Sequence, residues 1–166
     1  MERSPRHRSG GKKVGPNPTD RGKDGTKRSL LTDGQGVPVG LAVDGANRHD
    51  CKLVAQTLDS IPIRRPKPTK KRPQHMCLDK GYDFEFVLRI LGEYNLIPHV
   101  RRRGEEARAR RRHRGKPRRW VVERSHSWFN RFRRILVRWE KRASSYIGML
   151  HLVCGIIAWR ATGLLG

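Results

Sequence analysis

Acidic residues and cysteines are both scarce in this chain of 166 residues. Its three cysteines, Cys51, Cys77 and Cys154, lie far apart and form no CxxC pair. An odd number of isolated cysteines argues against a disulfide framework and against a structural zinc site. We therefore predict three reduced, mostly buried thiols in a cytosolic protein.

Long apolar runs are also missing. The first residues, Met1 to Pro5, have no apolar stretch behind them, so we expect no signal peptide. From Ala143 to Trp159 no residue is charged, but a membrane-spanning helix needs about 20 mostly apolar residues. We predict instead a buried terminal helix whose apolar face covers the sheet or a partner subunit.

Positive charge is abundant, with 38 Lys and Arg against 15 Asp and Glu and a formal net charge of +23. This excess predicts a polyanionic partner, and DNA or RNA is favoured over lipid because no basic amphipathic helix is evident. Residues 1–25 are rich in Gly, Pro and basic residues, which predicts an extended or disordered segment. The basic run from Arg101 to Arg119 is a solvated loop or, as its density favours, a phosphate-binding surface.

The rest of the chain is organised around Met76-Cys77-Leu78-Asp79-Lys80-Gly81-Tyr82-Asp83. Its apolar start predicts a short buried strand, and Gly81 predicts a sharp turn. Apolar residues from Phe84 to Leu91 then recur at helical spacing. Because ligands and metals bind at the carboxyl ends of strands in open α/β sheets, we interpret Asp79 as a metal-binding carboxylate.

Other segments predict further strands and helices around this centre. A turn signature at Asp33-Gly34-Gln35-Gly36 predicts a hairpin, and a role in that turn explains Asp33 better than a catalytic one. The remaining predictions are hairpin strands at Lys27–Thr32 and Val37–Val43, a helix at Ala46–Leu58, a non-helical linker at Ile61–Pro73 and a strand at Leu96–Val100.

A helical pattern returns between Trp120 and Lys141. Trp128, Phe132, Ile135 and Trp139 form a predicted core stripe, which leaves Arg124, Arg131, Arg133, Arg134 and Arg138 on other faces. Glu123 stands alone among these cations. It either pairs with an arginine or acts as a second metal ligand, since one carboxylate holds a divalent ion poorly.

The order of these elements is close to that of an RNase-H-like fold, an α/β fold with a mixed sheet flanked by helices. That fold has three antiparallel strands before its first helix, whereas only two are evident here. We therefore predict that its first strand is missing. We also predict two parts, a basic segment at 1–25 and a truncated domain of this fold at 26–166.

Several motifs together resemble the bacterial insertion-sequence transposases of the DDE type, and among them the insertion-sequence-five group. The motifs are Gly15-Pro16-Asn17-Pro18-Thr19-Asp20-Arg21-Gly22-Lys23, Gly45-Ala46-Asn47-Arg48-His49-Asp50, Asp79-Lys80-Gly81-Tyr82-Asp83, Trp120-Val121-Val122-Glu123-Arg124, Trp128-Phe129-Asn130-Arg131-Phe132-Arg133-Arg134 and Arg138-Trp139-Glu140-Lys141. The resemblance extends from about Gly10 to Trp159, and the motifs are specific as a set.

The resemblance implies DNA cleavage and strand transfer at a site where three carboxylates hold two Mg²⁺ or Mn²⁺ ions. The second acid of the family falls on Asp79 and the third on Glu123. Arg119, one helical turn before Glu123, would contact a phosphate near the scissile bond. Lys80, Arg124, Arg131 and Arg134 are further expected DNA contacts. The partners implied are double-stranded terminal inverted repeats and target DNA, bound by a homodimer in the bacterial cytoplasm at the nucleoid, with no membrane.

The first acid of the family has no match in this chain, because its position falls at or near Met1. Asp20, Asp33 and Asp44 are the nearest acids, and none lies in a first strand. We therefore expect a carboxyl-terminal part of a transposase, joined to an upstream-frame segment or decayed, and inactive alone. Two alternatives stay open: a non-catalytic protein that binds nucleic acid through its charge, and an RNase-H-like nuclease that joins no ends.

Overall fold

The computed structural model describes residues 12–100 and 119–163, without the side chains of Arg119, Trp120 and Val122. The predictions for residues 1–11 and for most of the basic run after Val100 therefore lie outside the described residues. The chain divides into two compact units. The first combines the described residues up to Pro62 with those from Val121 onward, and the second begins at Ile63 and ends at Trp120.

The first unit contains an antiparallel sheet of three strands, in the order β1 (Gly15–Pro16), β2 (Asp24–Thr32) and β3 (Pro38–Gly45). β2 and β3 form the predicted hairpin, with Leu30 opposite Leu41. Oδ1 of Asp33 accepts hydrogen bonds from the backbone N–H groups of Gln35 (2.9 Å) and Val37 (2.8 Å). This contact confirms that Asp33 stabilises the turn.

The part of the predicted basic segment 1–25 that the structure describes begins at residue 12 and contains the short strand β1 and a loop. Gly15 pairs with Gly25 across the sheet. The loop between the two strands is closed by a bond from Asn17 N to Lys23 O (2.9 Å), and the Asn17 side chain accepts from Thr19 N (3.1 Å). The Pro-rich composition therefore encodes a tight loop here.

The helical segment after β3 begins later than predicted. A 3₁₀ turn at Asp50–Leu53 leads into α1 (Val54–Asp59), and the side chain of His49 caps the turn by accepting from Cys51 N. Leu53, Val54, Thr57 and Leu58, the predicted apolar face, are buried. Gly45-Ala46-Asn47-Arg48 instead closes β3 through a backbone bond from Arg48 N to Gly45 O (3.0 Å).

The carboxyl-terminal part of the chain forms three helices, α3 (Arg119–Asn130), α4 (Arg133–Leu136) and α5 (Ala143–Ala161). The predicted buried terminal helix is confirmed by α5. Its buried side chains pack in one cluster with residues of β3, α3 and α4: Leu41, Val43, Phe129, Ile135, Tyr146, Leu150, Val153 and Ile157. Among the described residues, no helix is long and apolar enough to cross a membrane.

The prediction of one helix from Trp120 to Lys141 is wrong. The chain leaves the helical conformation at Phe132, whose φ of −92° and ψ of 93° are extended, and α4 lasts for only one turn. Phe129 is buried in the core, whereas Trp139, predicted to be buried, has 52% of its surface exposed.

Arg138 is fully buried, although the sequence pattern placed it outside the core stripe. Its guanidinium donates to Thr26 Oγ1 (3.0 Å) and to the backbone carbonyls of Lys13 (3.2 Å), Lys12 (3.1 Å) and Glu140 (3.1 Å). It also lies 5.5 Å from the centre of the Tyr146 ring. Arg138 thereby joins the segment before β1, β2 and the start of α5, and a planar fork of five donors suits such a junction.

The second unit has a parallel pair of strands, β4 (Gln74–Leu78) and β5 (Leu96–Val100), joined by α2 (Glu85–Glu93). The strand, helix and strand were all predicted at these places. Val87 and Leu91 of α2 are buried. The linker before β4 is non-helical, as predicted, and is held by Gln74 Nε2 donating to Pro66 O (2.8 Å).

β4 is half-exposed, which corrects the prediction of a buried strand. Alternate residues are partly buried and exposed, and Cys77 is among the exposed ones. In the described part of the chain β4 pairs with β5 alone, and α2 packs against β5. The described residues form a mixed α/β architecture with two small sheets, and the single RNase-H-like sheet stays a prediction.

The buried guanidinium generates a first prediction. Replacing Arg138 with Met should lower the free energy of unfolding by about 3 kcal/mol, because several buried acceptors lose a charged donor at once. Arg133→Met removes an exposed arginine nearby and should change the free energy of unfolding by less than about 0.5 kcal/mol. Urea unfolding of both variants checks this, and equal effects would show that Arg138 is not a structural junction.

The cysteines provide a test of the exposure of β4. During a short pulse of iodoacetamide, Cys77 should be alkylated first because it is exposed. Cys154 should react slowly, because burial raises the pKa of its thiol to about 11 and the thiolate is the reactive form. Peptide mass spectrometry measures the order. A Cys77 that stays unmodified as long as the buried Cys51 would mean that this face of β4 is covered.

Candidate functional site

Asp79 lies where β4 ends and the chain turns toward α2. Its extended backbone (φ −71°, ψ 159°) caps a 3₁₀ turn at Lys80–Tyr82, and its Oδ1 accepts from Lys80 N (2.7 Å). The Asp79 carbonyl accepts from Tyr82 N (2.9 Å). Asp79 and Lys80 are both exposed. The sequence therefore predicted the position of this carboxylate correctly, at the carboxyl end of a strand.

Glu123 is an exposed residue of α3, and contacts from neighbouring residues fix its helix. The buried Ser125 lies within hydrogen-bonding distance of two carbonyl oxygens, at 2.6 Å from Gly36 O and 3.0 Å from Val121 O. Arg124 donates to Gln35 O. These contacts attach one side of α3 to the β2–β3 turn and leave Glu123 exposed.

Gly36 makes the close approach between the turn and α3 possible. Its φ is +88°, a backbone conformation that favours glycine. A Cβ atom at this position would lie 3.1 Å from Ser125 Oγ and 3.3 Å from Val121 O. The backbone of the turn therefore sits directly against α3, and any side chain on Gly36 would separate them.

The arginines expected at DNA occupy different environments. Arg124 is half-buried, and its guanidinium lies 5.1 Å from the centre of the Trp128 ring. Arg131 is exposed. Arg134 pairs with Oε1 of Glu140 at 2.7 Å while 60% of its side chain stays exposed. Arg119 begins α3 four positions before Glu123, a spacing that places both on one helix face, but its side chain lies outside the described part.

The two candidate acids belong to different units, with Asp79 in the second and Glu123 in the first. The structure places Lys80 next to Asp79, and it gathers Glu123, Arg124 and Ser125 on α3. Within the described ranges, no group of three or more His, Cys, Asp or Glu residues is placed to hold a metal ion. The available donors are carboxylate oxygens, which Mg²⁺ and Mn²⁺ prefer, and Mg²⁺ needs only one or two of them beside water.

The sequence reasoning missed three residues that build this region. Gly36 had a signal, since a second glycine after Asp-Gly in a turn indicates a positive φ. Ser125 and Arg138 had none, because a serine and an arginine on a helical pattern are normally exposed. Their burial follows from contacts with segments far away in the sequence, from Gly36 for Ser125 and from Lys12, Lys13 and Thr26 for Arg138.

Comparison with known proteins adds to this geometry. The family described as "Transposase DDE domain" matches residues 3–157 of the chain. A relative from Burkholderia cepacia, described as "Putative transposase for insertion sequence element IS402", is 38% identical over 156 residues. That alignment covers 92% of this chain and 71% of the relative. No solved structure matches the chain.

The contact between the turn and α3 can be tested with two glycines of the same loop. Gly36→Ala should lower the free energy of unfolding by about 1–3 kcal/mol, because alanine is strained at a positive φ and its Cβ meets Ser125 and Val121. Gly34→Ala is the control, since no atom lies within 4 Å of a Cβ placed there. Its effect should stay below about 0.5 kcal/mol. Thermal unfolding followed by circular dichroism measures both, and similar losses would contradict the assignment.

Proposed function

The chain belongs to the family of transposases with a DDE domain. From this we propose that it supplies two of the carboxylates of the site that cuts and joins DNA during transposition. The proposed pair is Asp79 and Glu123. The observation that carries the proposal is that both motif acids are exposed on ordered backbone, one capping the turn after β4 and the other on a helix attached to the hairpin turn. We propose that the two acids converge in the working enzyme, within an RNase-H-like arrangement.

Asp79 and Glu123 would hold Mg²⁺ or Mn²⁺. A divalent ion in such a site makes a water or a 3′-hydroxyl more nucleophilic and stabilises the leaving oxygen of the phosphodiester. The donor set supports this, since two carboxylates suit a hard ion that keeps several waters. The bond from Lys80 N to Asp79 Oδ1 orients the carboxylate at the end of β4.

We propose that phosphate contacts come from Arg119, Lys80, Arg131 and Arg134. Lys80, Arg131 and Arg134 are exposed, and Arg119 shares the helix face of Glu123. Arg134 reaches DNA only by giving up part of its pairing with Glu140. Arg124 differs because its guanidinium is engaged with Gln35 O and the Trp128 ring, and it acts as a positioning residue for α3.

A third carboxylate is needed for the full family site, and no motif of this chain matches it. We propose that a further segment of the transposase supplies it and that this chain is inactive without that segment. Double-stranded DNA is the proposed partner, both as the ends of the element and as the target, and a homodimer would hold two ends together.

A second candidate function is charge-driven binding of nucleic acid without catalysis. The net charge of +23 and the exposed basic residues favour it as much as they favour the transposase. Both functions predict salt-sensitive DNA binding, because each neutralised phosphate releases counterions. They differ only in what the two acids do.

Neutralising the acids separates the two functions. Asp79→Asn and Glu123→Gln should each weaken Mn²⁺ binding by about tenfold or more, since carboxylate number sets affinity for such ions. DNA affinity should stay equal or rise slightly, because a negative charge has been removed. Isothermal titration calorimetry measures the metal, and fluorescence anisotropy at several salt concentrations measures the DNA.

Glu93→Gln is the matched control, because Glu93 is an exposed acid at the end of α2 in the same unit as Asp79. It should leave Mn²⁺ and DNA binding unchanged. The catalytic proposal fails if the parent protein, joined to its upstream segment, binds no Mn²⁺. It also fails if Glu93→Gln weakens the binding as much as the motif variants do.

A further inference from the structure

Two imidazole rings meet on the exposed face of the β4–β5 pair. Nδ1 of His75 lies 2.7 Å from Nε2 of His99, and the ring centroids are 4.9 Å apart with an interplanar angle of 37°. Both residues are exposed. They come from neighbouring parallel strands, where His75 is opposite Ile97 and His99 is opposite Cys77. Two ring nitrogens therefore converge at one accessible point that the proposed DNA chemistry does not use.

The separation of the two nitrogens is close to that of two ligands on one metal ion. In the hydrogen-bonded pair, one ring donates its N–H and the other accepts it. If each ring carries its hydrogen on the outer nitrogen, both inner nitrogens offer a lone pair. At metal–nitrogen distances of about 2.0–2.1 Å, a right angle at the metal separates the nitrogens by about 2.9 Å and a tetrahedral angle by about 3.3 Å. The two ring nitrogens, 2.7 Å apart, would therefore have to separate only slightly to bind one ion.

We propose that His75 and His99 form a two-histidine site for a late divalent transition-metal ion, Cu²⁺, Ni²⁺ or Zn²⁺, with water completing the coordination. Imidazole nitrogen suits these ions, and Cu²⁺ should bind most tightly. Mg²⁺ prefers oxygen ligands and should be excluded from this site. The site does not depend on the proposed function, because neither histidine belongs to the carboxylate pair.

The location of the histidine pair gives the bound ion a structural effect. Residues two apart in a strand share a face, which places His75 and Cys77 on the same side of β4, and Asp79 follows directly after the last residue of that strand. Asp79 lies about 13 Å from His75, at about 3.3 Å per residue, so the histidine pair and the carboxylate are separate sites. An ion held by His75 and His99 would join β4 to β5 and stabilise the strand that leads to Asp79.

Nickel titration of the full chain tests the site. Isothermal titration calorimetry with Ni²⁺ should give one binding event, which His75→Gln or His99→Gln weakens by about 100-fold, because the second imidazole binds intramolecularly. His151→Gln removes an exposed histidine of α5 and should leave the affinity within about twofold. Electron paramagnetic resonance with Cu²⁺ should show two coupled nitrogens in the parent protein and one in either single variant.

The outcomes also separate this site from the proposed carboxylates. Asp79→Asn should keep the Ni²⁺ affinity of the parent protein while its Mn²⁺ affinity falls by about tenfold or more. The histidine site is overturned if His75→Gln and His99→Gln bind Ni²⁺ as the parent does, or if His151→Gln loses as much affinity. It is also overturned if Asp79→Asn abolishes Ni²⁺ binding. A parent protein that binds Ni²⁺ but no Mn²⁺ would support the histidine pair and count against the carboxylates.

Discussion

The first unit depends on the buried guanidinium of Arg138. The Arg138 guanidinium replaces its hydration with hydrogen bonds to Thr26 and to backbone carbonyls on two separate segments. Burial lowers the pKa of this arginine, while Tyr146 and Glu140 oppose that effect. Because a buried charge is tolerated only when its donors are satisfied, the segment before β1 and the start of α5 must stay in place around it.

The candidate site rests on a second, smaller constraint. Helix α3 is held on the β2–β3 turn because Gly36 allows its carbonyl to approach Ser125 Oγ. This contact fixes the rotation of α3 about its own axis and so decides which residues face outward. Glu123 is exposed for that reason, and not because a charged residue on a helix is always exposed. The position of a candidate ligand is thus set by two residues without charge.

The sequence was sufficient for features that depend on local preference. The hairpin, the strand before Asp79, the helix and strand after it and the terminal helix were all predicted from periodicity and turn chemistry. It was insufficient where distant contacts decide. The four-three-four spacing of Trp128, Phe132, Ile135 and Trp139 fits one continuous helix, yet the helix breaks at Phe132 and Arg138 is buried. Exposure of β4 was equally hidden, because an apolar run does not reveal how many strands pair with it.

The long-range bonds of Arg138 have a consequence for the order of folding. Its acceptors at Lys12 and Lys13 precede it by 126 and 125 positions. During synthesis from the amino terminus, those carbonyls emerge from the ribosome long before their donor exists. The β2–β3 hairpin can form early. The first unit, however, can form its Arg138 contacts only after the entire second unit has been translated. Contacts between residues so far apart in the sequence form slowly. The first unit therefore completes its folding late, after the second unit has been synthesised.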